Sequence, residues 1–143
     1  MKRVFTAMWI GSAILWLAFS AGAQAGQRFK ARLSPVPMDA TMKGNVTGLG
    51  SVTAVLEGTK LTITGTFEGL RTSATVARLH NGPTGVRGPA FFDLSVSKET
   101  SGKVSGSLDL TPAQVEDLKK GRFYVQVHSE KAPEGNLWGW LLR

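Results

Sequence analysis

His80 and His128 are the two imidazoles of a 143-residue chain that has no cysteine. His80 opens the stretch HNGPTGVRGPAF, which runs to Phe91 and reads in triplets as Gly-Pro-Thr, Gly-Val-Arg and Gly-Pro-Ala. Three such triplets do not make a collagen fragment, because the triple helix needs a long Gly-X-Y register in three chains. A phosphate-gripping loop is excluded as well: no Gly-Lys-Ser or Gly-Lys-Thr is present, and no helical pattern follows. What remains is a connection between two strands. Pro83 and Pro89 restrict its backbone, while Gly82, Gly85 and Gly88 can adopt positive φ. Such a loop can hold His80 and Arg87 at the edge of a sheet.

Other chemistry is sparse. A metal centre takes three or four ligands, and besides the two histidines the chain offers Met38, Met42 and scattered carboxylates. A site of His80 and His128 alone, of the copper-binding type, is the alternative reading. There is no Gly-x-Ser-x-Gly nucleophile elbow and no thiol. Glu116 and Asp117 are adjacent on an exposed helix face rather than placed as an acid–base pair. No enzyme and no cofactor is expected. Trp138 and Trp140 share one face of the last strand. There they either form an exposed aromatic platform or cover a second small core.

The elements that must position these residues follow from periodicity. A short first strand is expected over Phe29–Leu33, ended by the prolines of Ser-Pro-Val-Pro. Val52, Ala54 and Leu56, then Leu61, Ile63 and Phe67, alternate on either side of Glu57-Gly58-Thr59, a hairpin pattern. Further strands lie in Ala74–His80, Ala90–Ser97, Gly102–Leu110, Arg122–Ser129 and Leu137–Leu142, with a turn at Glu130–Asn136. One helix interrupts them. Thr111 is its N-cap, Pro112 stands at the first helical position, and Gln114 completes a capping box. Lys119 and Lys120 occupy the last turn, and Gly121 supplies the left-handed end. Seven or eight short strands with frequent turns indicate an all-β fold. The expected form is an antiparallel Greek-key or immunoglobulin-like β-sandwich with one short helix, or a Greek-key barrel.

His80 and His128 both fall on the outward parity of their strands. If those strands are neighbours, the two imidazoles share one rim with Arg87, Tyr124 and Gln126. These five residues are the expected ligand-binding surface. Arg87 stays positive at every relevant pH, which favours a small polar or anionic ligand, or a protein partner, over a bare cation.

Residues 1–25 read as a secretory signal peptide: Lys2 and Arg3, an apolar run to about Ala21, then Ala23-Gln24-Ala25. Cleavage after Ala25 leaves residues 26–143 as one domain with no further apolar run to span a membrane, so a periplasmic or secreted protein is expected. Seventeen Lys and Arg against ten Asp and Glu give a formal charge of +7, and cleavage removes two of those cations. The remaining basic residues are scattered rather than run together, and no nucleic-acid partner is expected. Without disulfides, the fold must rest on its core.

Taken in order, three blocks resemble the CHRD (chordin-type) domain family of exported microbial proteins: ARLHNGPTGVRGPAFFDL, GSLDLTPAQVEDLKKGRFYVQVHS and PEGNLWGWL. The resemblance spans roughly Met42 to Leu142 and implies a Greek-key or immunoglobulin-like β architecture. Many members carry His-x-His where this chain has Arg78-Leu79-His80. Gln126 replaces a frequent asparagine and Ser129 a frequent threonine. Asn136 and Trp138 stand where a Glu-hydrophobe-Arg pattern is common. In chordin the domain belongs to an extracellular protein that binds growth factors, a partner that does not carry over to a lone exported domain. With no catalytic motif in the chain, the expected function is a non-enzymatic binding or structural module of the cell envelope.

Overall fold

The computed structural model describes residues 26–143; the expected signal peptide, residues 1–25, lies outside the described residues. Eight strands and one helix follow in the order β1 (Gln27–Pro35), β2 (Leu49–Glu57), β3 (Lys60–Glu68), β4 (Ala74–Asn81), β5 (Ala90–Val96), β6 (Gly102–Asp109), α1 (Pro112–Lys119), β7 (Phe123–Ser129) and β8 (Ala132–Trp140). Every pairing is antiparallel.

Alternation along the strands makes the core. Phe29, Ala31 and Leu33 of β1, Leu61, Ile63 and Phe67 of β3, and Phe123, Val125 and Val127 of β7 are buried in one cluster, which Leu118 of α1 joins. The β2–β3 hairpin turns on Gly58, whose φ of 63° suits a two-residue loop between Glu57 and Lys60. A second, smaller cluster of Val36, Val46 and Ala132 is packed over by Met42 and Trp138. Of the two indoles, Trp138 thus covers a minor core, while Trp140 is itself buried.

The all-β antiparallel fold with one short helix is as the sequence implies, but the strands do not stop at a two-sheet sandwich. They close into a barrel in the order β1-β2-β3-β6-β5-β4-β7-β8. Closure comes from two strands that change partner at a corner. β1 pairs with β2 from Gln27 to Leu33, then with β8 at Ser34 and Pro35. β5 pairs with β4 over most of its length and with β6 at Ser95 and Val96. Each would-be sheet edge thereby finds a partner for its backbone groups, which an open sandwich would leave exposed. β7 lies beside β4 rather than β6, across the long excursion through β5, β6 and α1.

The last strand also starts earlier than its sequence suggests. Pro133 and Gly135 read as turn residues, yet Ser129 pairs with Ala132 and leaves Glu130 and Lys131 alone to make the turn. Pro133 and Gly135 sit inside β8, near a register shift between Val127 and Ser129. Gly135 has φ +129°, a conformation that favours glycine, and a Cβ there would displace the Gln126 side-chain amide that β8 passes.

Candidate functional site

β4 and β7 are neighbours, with His80 opposite Tyr124 and Arg78 opposite Gln126. Their outward side chains, with those of β8, form one outer face of the barrel. Tyr124 is the centre of an aromatic group on it. The His80 ring stacks on Tyr124 at 4.7 Å between centroids and 18° between planes. Trp140 lies 4.5 Å from Tyr124 on the other side, and Trp138 meets Trp140 edge-on at 4.7 Å.

The β4–β5 loop folds down onto this face. The Tyr124 hydroxyl accepts from the Gly88 amide at 2.9 Å and donates to the Gly88 carbonyl at 3.1 Å. That same carbonyl accepts from His80 Nδ1 at 2.9 Å, and the Trp140 indole N–H donates to the Gly82 carbonyl at 3.0 Å. A Cβ at position 88 would stand 1.9 Å from the Asn81 carbonyl oxygen. The collagen-like spelling is thus the composition of a loop packed against its own strand ends, where backbone must approach backbone. A register shift between Leu79 and His80 falls at the loop's root, the kind of bulge that re-aims a side chain.

The other half of the face hangs on β8. Gln126 Nε2 and Arg87 Nη1 both donate to the Glu134 carbonyl, at 2.8 and 2.9 Å. His128 Nδ1 donates to the Pro133 carbonyl at 2.8 Å. The Arg87 guanidinium carbon lies 5.8 Å from the Trp138 ring centroid. All five residues expected from the sequence are therefore on one surface, and three backbone carbonyls, those of Gly88, Pro133 and Glu134, anchor them.

Two points differ from an open rim shared by both imidazoles. Tyr124 and Gln126 are buried, at 0% and 2% exposure, because the loop and β8 cover them; they form the floor of the face. His80 is level with Tyr124, whereas His128 is four residues farther along β7, about 13 Å by the strand rise. The histidines thus flank Gln126 on one face instead of meeting at one strand end.

With each Nδ1–H directed at a carbonyl, each ring presents Nε2 as a lone pair. Both Nε2 atoms are buried and without a hydrogen-bond partner. Burial pushes both imidazoles below their ordinary value of 6.5; the Gly88 and Pro133 carbonyls oppose this, and Arg78 and Arg87 add to it. The charge of His128 further lowers His80. Arg78 is a charged neighbour on this face beyond the five expected residues. It shares the outward parity of His80, pairs with Asp93 at 2.9 Å, and borders a shallow cavity of about 360 Å³ lined also by Ala90, Phe91 and Phe92. Among the described residues, no group of three His, Cys, Asp or Glu is placed to hold a metal ion, and Met42 is occupied in the second core.

No curated protein and no solved structure matches this chain. A family model described as CHRD domain matches residues 29–141.

Proposed function

The chain belongs to the CHRD-domain family, and from that premise and the geometry of the β4–β7–β8 face we propose a non-enzymatic binding module, exported to the cell envelope, that takes a small polar or anionic group between His80, Arg87 and His128. The observation that carries this reading is the pair of buried, partnerless Nε2 atoms on a face where both Nδ1 atoms and Gln126 Nε2 are tied to backbone carbonyls. Buried polar groups are almost always paired in native proteins, so two orphans of one kind on one face invite a ligand. Arg78 and Arg87 both raise the positive potential at the two rings. Tyr124 and Gln126 hold the floor rather than touch the ligand. Asp93, the carboxylate beside Arg78, is engaged with it, which supports binding over acid–base chemistry.

One observation favours a second reading, a metal ion held by His80 and His128. An imidazole whose Nδ1–H is fixed on a carbonyl has its Nε2 lone pair oriented for coordination. The two readings have opposite pH dependence. An anion binds the protonated rings, so its affinity rises as pH falls through their lowered values. A metal competes with the proton, so its affinity falls over the same range. Histidine ring resonances, followed by NMR at pH 5.5 and 7.5 during titration with phosphate and separately with Zn²⁺ or Cu⁺, distinguish them. Phosphate shifts of the ring resonances that strengthen at pH 5.5 and weaken in Arg87→Gln, which keeps both rings, are expected. Rings that respond to neither probe overturn both readings.

Export rests on the signal-like residues 1–25 and on a family match that begins only at residue 29. Intact mass of the protein recovered outside the cytoplasm is expected to start at Gly26. A membrane-bound species retaining Met1–Ala25 overturns this part of the proposal.

A further inference from the structure

Across the ring from the histidines, the outer surface of β1, β2, β3 and β6 carries a different pattern. Lys30 faces Thr53, Thr53 faces Thr64 and Thr64 faces Ser105. The adjacent row begins with Arg32 on β1 and ends with Lys103 on β6, with Ser51 and Thr66 between them. Arg28 leads the row on the other side, followed by Val55, Thr62 and Ser107. Directly opposed residues of antiparallel strands project to the same side, so the three rows make one continuous surface. Its β1, β3 and β6 members are exposed.

The composition of the surface is selective. The three rows hold four cations, seven hydroxyl side chains and one apolar side chain, Val55. None of the four cations belongs to either ion pair among the described residues. The nearest acids stand at the margins: Glu57 and Asp109 in the row of Lys60, and Glu68 beside the exposed Leu49 at the other end. A shallow groove of about 450 Å³ runs over the middle, lined by Ser51, Thr53, Thr64, Gly65, Thr66 and Lys103. Strand spacing sets Arg32 and Lys103 about 14 Å apart across the sheet, and Arg28, Lys30 and Arg32 at steps of about 7 Å along it.

We propose that this face docks an acidic polysaccharide: Arg28, Lys30, Arg32 and Lys103 meet its carboxylates, and the hydroxyl rows between them exchange hydrogen bonds with its sugars. Spaced cations that form no ion pair among the described residues fit a ligand whose charges are themselves spaced, and a hydroxyl both donates and accepts, as sugar hydroxyls require. Single-stranded nucleic acid needs aromatic platforms for its bases, and the rows contain none. A lipid surface needs an apolar face to insert, and Val55 alone does not supply one. This surface is separate from the histidine face and does not depend on what binds there.

Binding of polygalacturonate, measured by calorimetry alongside neutral dextran and single-stranded DNA, tests the proposal. Polygalacturonate is expected to bind in low salt and weaken sharply by 300 mM salt, where exposed charges are screened. Lys30→Gln/Arg32→Gln/Lys103→Gln is expected to weaken it at least tenfold with an unchanged melting temperature. Thr64→Glu, an acid at the centre of the face, is expected to do the same, while His80→Gln/His128→Gln leaves binding intact. Equal binding of dextran, tighter binding of DNA, or polygalacturonate binding that neither face variant disturbs overturns it.

Discussion

Each histidine commits one ring nitrogen to a backbone carbonyl and leaves the other in a buried position without a partner, and this asymmetry has a consequence for stability. Both imidazoles titrate below 6.5 in the fold, chiefly because burial disfavours the charged ring. The unfolded chain therefore binds protons that the native state refuses. Stability from these two groups is fully present above about pH 6.5 and is lost as pH falls from there through their lower folded values. The melting temperature is expected to drop between pH 7.5 and 5, and His80→Gln/His128→Gln is expected to flatten that part of the profile. Asp39 does not interfere, because the Thr41 hydroxyl and nearby amides hold it below 3.8, so its loss falls in more acid solution. A profile identical in the double variant would show that the rings do not titrate differently on folding. The positions of these residues on one outward face were legible from strand parity. Their anchoring was not, since the acceptors are main-chain carbonyls of Gly88, Pro133 and Glu134, which no side-chain pattern encodes.

Among the elements, α1 is the one whose ends were readable to the residue, because its signals are local. Thr111 accepts from the Gln114 amide at 3.2 Å, and Gln114 Oε1 accepts from the Thr111 amide at 2.9 Å. At the other end Gly121, at φ +71°, donates to Leu118 and Arg122 donates to Asp117, the paired bonds of a Schellman motif. Thr111→Ala removes the capping acceptor and is expected to cost about 1 kcal/mol. Pro112→Ala is expected to cost less, since proline at this position forgoes no helical bond. Denaturant melts of the two variants check the order, and two silent substitutions would show that the cap contributes no stability. β8 was misread at its start for the converse reason. Pro133 and Gly135 are turn residues by local rule, and only the fit of this segment against His128, Gln126 and Val36 in the fold makes it strand.

At the scale of the molecule, closure was invisible in the sequence, because period-two alternation is the same for a strand in a sandwich and a strand in a barrel. At the β1–β8 seam, one residue adds side-chain bonds to the main-chain pairing of Ser34 and Pro35 and of Lys30 with Leu142. Asn136 is fully buried. Its carbonyl accepts from the Val36 amide at 3.0 Å; its side-chain oxygen accepts from the Thr47 amide at 3.1 Å; its side-chain nitrogen donates to the Ser129 hydroxyl at 2.9 Å. It thereby ties the end of β1, the segment after it and β7 to β8. Asn136→Ala leaves the Thr47 amide without its acceptor and the Ser129 hydroxyl without its donor, and is expected to cost on the order of 2 kcal/mol. The loss is expected to be local first. Native-state hydrogen exchange should quicken at Val36 and Thr47 more than at Leu79 and Val125, which lie in the β4–β7 ladder away from the seam. Uniform acceleration at all four amides would mean that the barrel opens as one unit and that the seam has no separate stability.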